Sequence, residues 1–307
     1  MAGRGARWFD RRGWRDLIIG VPYLWLIVFF LASFAIVIAM SFALRSEQSP
    51  PFAFPAEWPH ISWENYQRLA SDSLYLRAFL TSLWNAALAT LFCLLIGYPM
   101  ALGITRVSRS WRSLLLMLVI LPFWTSFLLR VYAWMGLLGN NSWFNKALTA
   151  AVNAVLPAES ALKAIPMMNS NFAVVLVMVY SYLPFMILPL YANLERLDRS
   201  LDEAATDLGS RPWQVFKDIT LPLSVPGIVA GGLLVFIPAS GELVIPSLVG
   251  NASDPMIGRI INDEFASARD WPMASAVAVA LLLLLVVPIM AYSYFERRAQ
   301  DRAAGAA

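Results

Sequence analysis

The chain has 307 residues, of which 59% are hydrophobic and only 14% charged, and its mean hydropathy is +0.62. Soluble domains carry about 25% charged residues, so a chain this long and this apolar uses lipid as its solvent. The net charge of +3 does not mark a nucleic-acid binder, because the basic residues sit in the connections between apolar runs and follow membrane topology.

In chain order, Arg4, Arg7, Arg11, Arg12 and Arg15 precede an uncharged run from Leu17 to Leu44. That run is well beyond a signal-peptide core of about 7–15 residues, so it reads as an uncleaved first span, 18–43. A connection over 44–78 follows, in which Ser49-Pro50-Pro51 and Pro55 forbid a continuous helix at its start. His60, the only histidine, reads as a solvated loop residue there. Further spans are predicted at 79–104, 113–138, 172–194, 224–249 and 274–295, each near the roughly 20 apolar residues that a crossing helix needs. Cys93, the only cysteine, lies inside the second span and has no disulfide partner; it reads as a small buried hydrophobe, and no metal site is implied. In the connection 250–273, Asp254-Pro255 resembles a helix start, and Ile257, Ile260, Ile261 and Phe265 predict a short amphipathic helix on the outer surface.

The expected fold class is therefore an all-α membrane protein with six transmembrane helices. A basic N-terminus spans 1–16, the membrane domain 17–298 and a tail 299–307. With both termini in the cytoplasm, the internal segments hold 15 Lys and Arg and the external ones 7. The positive-inside bias favours that orientation.

The long internal connection, 195–223, has a definite local shape. Ser200 and Glu203 have the spacing of a capping box, and Gly209 suits a helix end that turns left-handed. Pro212 opens a second short helix through about Ile219. Two short helices joined at a glycine predict a compact knob beneath the membrane.

Glu203-Ala204-Ala205, three residues, Gly209, nine residues, then Ile219-Thr220-Leu221-Pro222 resembles the EAA loop of ABC importer permeases at every defined position. The resemblance implies a type I ABC importer transmembrane domain with a cytoplasmic coupling helix that inserts into a cleft of an ATP-binding subunit. Glu203, Ala204, Ala205 and Gly209 would then be the ATPase-coupling residues, although the Glu203 side chain has a second reading as part of the capping box alone. Three further segments are similar to polyamine importer permeases: Leu121-Pro122-Phe123-Trp124 through Trp134, Tyr182-Leu183-Pro184-Phe185 through Tyr191, and Arg269-Asp270-Trp271-Pro272. Gly241-Glu242-Leu243-Val244-Ile245-Pro246 resembles the putrescine-type subunit. The likeness covers about residues 15–298. It implies a bacterial inner-membrane subunit forming half of a pathway for putrescine or spermidine. The implied partners are a second permease subunit, two ATP-binding subunits that hydrolyse the ATP, and an external substrate-binding protein. It implies no cofactor and no enzyme activity in this chain.

Arg130 and Glu242 are the only ionisable residues well inside the predicted spans, where charges are costly and face a cavity or a partner. On straight helices rising 1.5 Å per residue, they lie roughly 25 Å and roughly 27 Å from the cytoplasmic entry of their spans, at similar depth. Two readings stand: an Arg130–Glu242 ion pair, or Glu242 facing the pathway to receive a substrate ammonium. Trp124, Tyr132, Trp134, Tyr180 and Tyr182 are cation–π candidates, of which Trp124, Tyr132 and Tyr182 are placed with Glu242 in the pathway. The sequence has no GxxxxGK[ST], HExxH or GxSxG pattern. A proton-coupled secondary transporter is the alternative class, although it has no use for a docking knob. An ABC permease for another small solute is the alternative within the class.

Overall fold

The structure, a computed structural model, describes residues 12–54, 61–154, 162–286 and Met290. His60, Arg4, Arg7, Arg11 and the tail 299–307 lie outside the described residues. The chain divides into two compact units, Met1–Ser71 with Asp263–Ala307, and Asp72–Asn262.

In the first unit, α1 (Arg12–Ser41) is apolar on every face, with Tyr23 through Leu31 exposed around its circumference. A helix hydrophobic all round is built for lipid or a protein interior. A two-residue ribbon follows, β1 (Leu44–Arg45) paired antiparallel with β2 (Phe52–Ala53). Asn65 on α2 (Glu64–Ser71) donates from Nδ2 to the carbonyls of Ser41 and Ala43, fixing α2 to the end of α1. Arg68 reaches Asp270 at 3.3 Å, and buried Asp270 accepts from the Met273 amide in the first turn of α13 (Trp271–Val286).

The second unit holds α3 (Ser73–Arg106), α4 (Arg109–Ile120), α5 (Phe127–Leu138), α6 (Trp143–Asn153), α7 (Asn171–Leu194) and α8 (Arg199–Asp207). It continues with α9 (Pro212–Val215), α10 (Leu221–Ser240), α11 (Val244–Val249) and α12 (Ile257–Asn262). Helices α3, α7 and α10 form its centre around Ala86, Cys93, Met178, Met186 and Val235. Cys93 is buried as expected, with its thiol toward the Val179 carbonyl.

Four described helices are long and apolar enough to cross a membrane: Ile18–Ser41, Ser73–Arg106, Asn171–Leu194 and Pro212–Ser240. The pair Arg109–Trp124 and Phe127–Asn153, bent by 89°, makes a fifth if counted as one span. Of the expected sixth span, 274–295, the described residues hold α13, an apolar helix shorter than a crossing span, and Met290; the rest of that range lies outside the described residues.

Four local expectations are corrected. The third span is not straight. Pro122 lacks an N–H and disfavours helix before it, so the chain passes through a 3₁₀ turn (Leu121–Trp124), and Thr125 is extended (ψ 152°) before α5 restarts at Phe127. The fifth span stops at Ser240, and α11 is a separate helix. The second half of the knob is no separate helix either: Pro212–Ser240 is continuous through a π turn at Phe216–Thr220. The Leu221 amide bonds the Phe216 carbonyl there, and the widened turn accommodates Pro222, which cannot supply the next amide. Finally, the helix expected to open at Asp254-Pro255 opens at Ile257. Ile257 and Ile260 are buried, and the Ile257 amide donates to Ser82 Oγ on α3 at 2.7 Å.

Candidate functional site

Two places in the second unit carry the residues singled out by sequence. The first is the loop around α8. Asp198 is its N-cap, accepting from the Ser200 amide at 3.0 Å, and that hydrogen bond holds the carboxyl below its ordinary pKa. The cap thus lies two residues before Ser200, so the expected Ser200–Glu203 capping box is not formed. Asp198 wins because an ionised carboxylate at the helix start also meets the positive end of the helix dipole. Glu203 is thereby left exposed inside the helix, away from its end.

The C-terminal end of α8 closes as a Schellman motif: the Ser210 amide bonds the Ala205 carbonyl and the Gly209 amide bonds the Thr206 carbonyl. Gly209 has φ +85°, as the left-handed turn requires. The motif exposes Ala204 and half exposes Ala205. Leu208 is 88% exposed and Trp213 68%. Such an apolar tip, shaped by two caps, is a docking surface in form.

The second place is the break between α10 and α11. Glu242 sits in it, half-buried. Its Oε1 accepts from the amides of Val244 and Ile245, capping α11, and its Oε2 accepts from the Tyr182 hydroxyl on α7. The backbone is irregular here, between the end of α10 at Ser240 and the start of α11 at Val244. Gly258 on α12 lies directly behind it. A Cβ there would stand 2.5 Å from the Gly241 carbonyl oxygen and 2.7 Å from that of Glu242.

Among the described residues no salt bridge joins Arg130 to Glu242, which corrects the ion-pair reading. The bend after Trp124 puts Arg130 in the first turn of α5, and the equal-depth argument assumed a straight helix. The Arg130 guanidinium lies 5.1 Å from the centroid of Phe123 and 5.7 Å from that of Phe127. Its Nε and Nη1 are buried without a hydrogen-bond partner. Phe123 meets Phe185 edge-on at 5.1 Å, and Phe185 lies 6.2 Å from Tyr182. Arg130 and Glu242 are therefore the two ends of a row of three rings rather than a pair.

Tyr182 is buried in that row. Trp124 and Tyr132, at 72% and 52% exposed, take no part in it. Trp134 and Tyr180 pack edge-on against each other at 5.4 Å, a helix-packing contact. Phe123 and Phe185 were not legible as site residues in the sequence, because a phenylalanine ring carries no polar handle that sets it apart from helix packing. Gly258 gave no sequence signal, since nothing local marks a close approach by a distant backbone.

The fold and these features define a membrane component of an importer. The chain belongs to the family of binding-protein-dependent transport system inner membrane components, whose model matches residues 93–301. It is an ABC importer permease subunit, a multi-pass inner-membrane protein that operates with an ATPase and a periplasmic binding protein. That membership displaces the proton-coupled alternative.

The spermidine/putrescine transport system permease protein PotB of Haemophilus influenzae is 40% identical over 279 residues, covering 91% of this chain and 92% of that protein. PotB of Escherichia coli K12 is 37% identical, covering 87% and 92%. The molybdenum transport system permease protein ModB of Mycobacterium bovis is 30% identical, covering 75% and 82%. Among solved structures, a bacterial alginate ABC transporter in complex with alginate pentasaccharide-bound periplasmic protein superposes with a TM-score of 0.70 at 18% identity, covering 94% of this chain and 96% of that one. The MetNI methionine ABC transporter does so at 0.51 and 18%, covering 74% and 96%. At such identities these structures speak for the fold alone.

Proposed function

We propose that this chain forms one half of the translocation pathway of a polyamine importer, and that Glu242 receives an ammonium group of the passing substrate. The observation that carries this reading is the placement of Glu242: a carboxylate at a helix break, bonded to Tyr182, with its nearest aromatic row leading away to Arg130. Irregular backbone at membrane depth is tolerated where it lines a cavity. Because Arg130 is held on Phe123 and Phe127, the Glu242 charge stays available to a cation. Polyamines are chains of protonated amines, which carboxylates and aromatic faces suit. Exposed Trp124 and Tyr132 offer further faces in the assembled pathway. The 40% identity to a permease named for spermidine and putrescine supports the same class, and the Gly241–Pro246 segment favours putrescine.

In this reading α8, with Glu203, Ala204, Ala205 and Gly209, docks into an ATP-binding subunit. A second permease, two ATP-binding subunits and an external binding protein complete the complex. Residues 17–298 form the permease domain, and both termini are cytoplasmic. Calorimetry on the cognate binding protein tests the substrate class: putrescine or spermidine binding supports it. Exclusive binding of an uncharged or anionic solute sinks it.

A further inference from the structure

We infer that Tyr98 is a positioning residue that locks α3 to α10, so that both helices follow the α8 loop as one body when the ATPase drives the importer. The inference deepens the proposed docking of α8 and rests on it.

A row of contacts begins at the exposed tip. Trp213 and Phe216, three residues apart on one helix face, stack with ring centroids 5.3 Å apart. Phe216 opens the π turn and meets Tyr98 of α3 edge-on at 5.7 Å. The Tyr98 hydroxyl then reaches Ser224 Oγ on α10 at 2.9 Å. Ser224 gives its one proton to the Leu221 carbonyl, so Tyr98 is the donor in that bond. Tyr98 is 7% exposed and Ser224 fully buried, so neither hydroxyl has water as a substitute partner.

Phe216 and Ser224 belong to the continuous helix Pro212–Ser240. Eight residues separate them, roughly 12 Å at 1.5 Å per residue. Tyr98 therefore grips that rod at two points, one at the start of the π turn and one beyond its end. Helices kink at π turns, and a grip on both sides splints this one.

The two neighbours of α10 are held differently. Toward α7, an added Cβ at Gly227 would stand 2.7 Å from Asn193 Cβ, and one at Gly231 2.8 Å from Met186 Sδ. Such close approach of small residues interlocks the two helices directly. Toward α3, a Cβ at Gly232 would meet only the Thr90 methyl, at 3.8 Å. The α3–α10 contact is looser there, and Tyr98 supplies the tie at the end nearest α8. Without it, α10 would bend at the π turn or slip past α3, and ATP hydrolysis would no longer move α3.

The test uses the assembled importer in a Cys93→Ala background, with spin labels attached at Arg106→Cys and Lys217→Cys. Both positions are exposed, on α3 and on the π turn. Electron paramagnetic resonance reads the label separation with and without ATP plus vanadate, so no solute is needed. Wild-type Tyr98 should keep one separation in both states. Tyr98→Leu should change or broaden it on trapping. Tyr98→Phe keeps the ring and removes the bond. In proteoliposomes with binding protein and spermidine, it should raise the ATP hydrolysed per spermidine imported about threefold, the factor of an average interhelical hydrogen bond in a membrane. Ser224→Ala should match it, and the double variant should be no worse than either, since all remove the same bond. A lowered thermal midpoint with that ratio unchanged overturns the inference. So does a separation that changes on trapping with Tyr98 present, or an assembled Tyr98→Leu complex that keeps a single separation. Trp213→Asp with assembly intact would overturn the docking reading and the inference together.

Discussion

Arg112 ties the α3–α4 turn to the head of the α8 loop: its Nη1 lies 3.5 Å from Glu195 Oε1, just beyond the end of α7. The same guanidinium donates to the Val107 and Thr105 carbonyls at 2.9 and 2.7 Å. The two kinds of contact differ in weight. An exposed ion pair contributes about 0–1 kcal/mol, and Glu195 is 46% exposed. Each charge-assisted bond to a carbonyl contributes roughly 1.5–3 kcal/mol. Glu195→Gln should therefore barely change the thermal midpoint of the purified complex, whereas Arg112→Met should lower it clearly. Arg112→Lys should resemble Met, because an ammonium cannot reproduce the fork of donors. Equal midpoints for Glu195→Gln and Arg112→Met would mean that the carbonyl bonds carry no weight.

The Gly209 prediction separates backbone from space. Nothing lies within 4 Å of a Cβ placed there, but φ is +85°. A side chain therefore fits sterically and is penalised by conformation alone, by roughly 1–2 kcal/mol for an ordinary residue. Gly209→Val should uncouple ATP hydrolysis from transport or block assembly, with membrane insertion unchanged. Gly209→Asn, which tolerates the left-handed region, should keep most of the coupled rate. Wild-type transport by Gly209→Val in the assembled complex would remove the mechanical role of this turn.

How much of this was legible in sequence follows from what each signal measures. Apolar length located the membrane helices, because lipid imposes it directly. The left-handed end at Gly209 was legible because glycine is the residue such a turn selects. The 89° bend was not read, although Pro122 stood in plain view, since the apolar run continues through it and hydropathy is blind to direction. The capping box was misassigned by two residues because Asp198 and Ser200 both qualify, and only the observed amide bond decides between them. The Arg130–Glu242 pair failed for the same reason as the bend: depth along a straight helix says nothing once the helix turns.

The contact of Gly258 with the Gly241–Glu242 backbone gives a third expectation. Gly258→Ala would force the break apart, since its Cβ would lie far inside contact distance of two carbonyl oxygens. Such overpacking costs about 1–3 kcal/mol. The variant should lose transport through displacement of Glu242, with assembly of the complex intact. Gly232→Ala is the control. Its Cβ would meet only the Thr90 methyl at 3.8 Å, so uptake should be unchanged. Full uptake by Gly258→Ala would show that the break tolerates movement.

The last expectation concerns the charge at Glu242. Glu242→Gln keeps the side chain's shape, and its one carbonyl oxygen can still accept from the two amides, so α11 should remain capped, while its NH2 donates to the Tyr182 oxygen in place of the bond Tyr182 now donates. If the carboxylate serves the substrate, uptake should fall at least tenfold while binding-protein affinity, which resides on another chain, stays the same. Tyr182→Phe removes one hydrogen bond and leaves the charge, so a loss of only a few-fold is expected. Arg130 supplies the discriminating arm. Were Glu242 present to neutralise Arg130, the double variant Arg130→Met with Glu242→Gln would recover transport by removing both charges. Here the two charges are separated by Phe123, Phe185 and Tyr182, and Arg130 rests on rings of its own. The double variant should thus be no better than Glu242→Gln alone, at equal expression and assembly. Recovery to near wild-type uptake would return Glu242 to the role of a counter-ion.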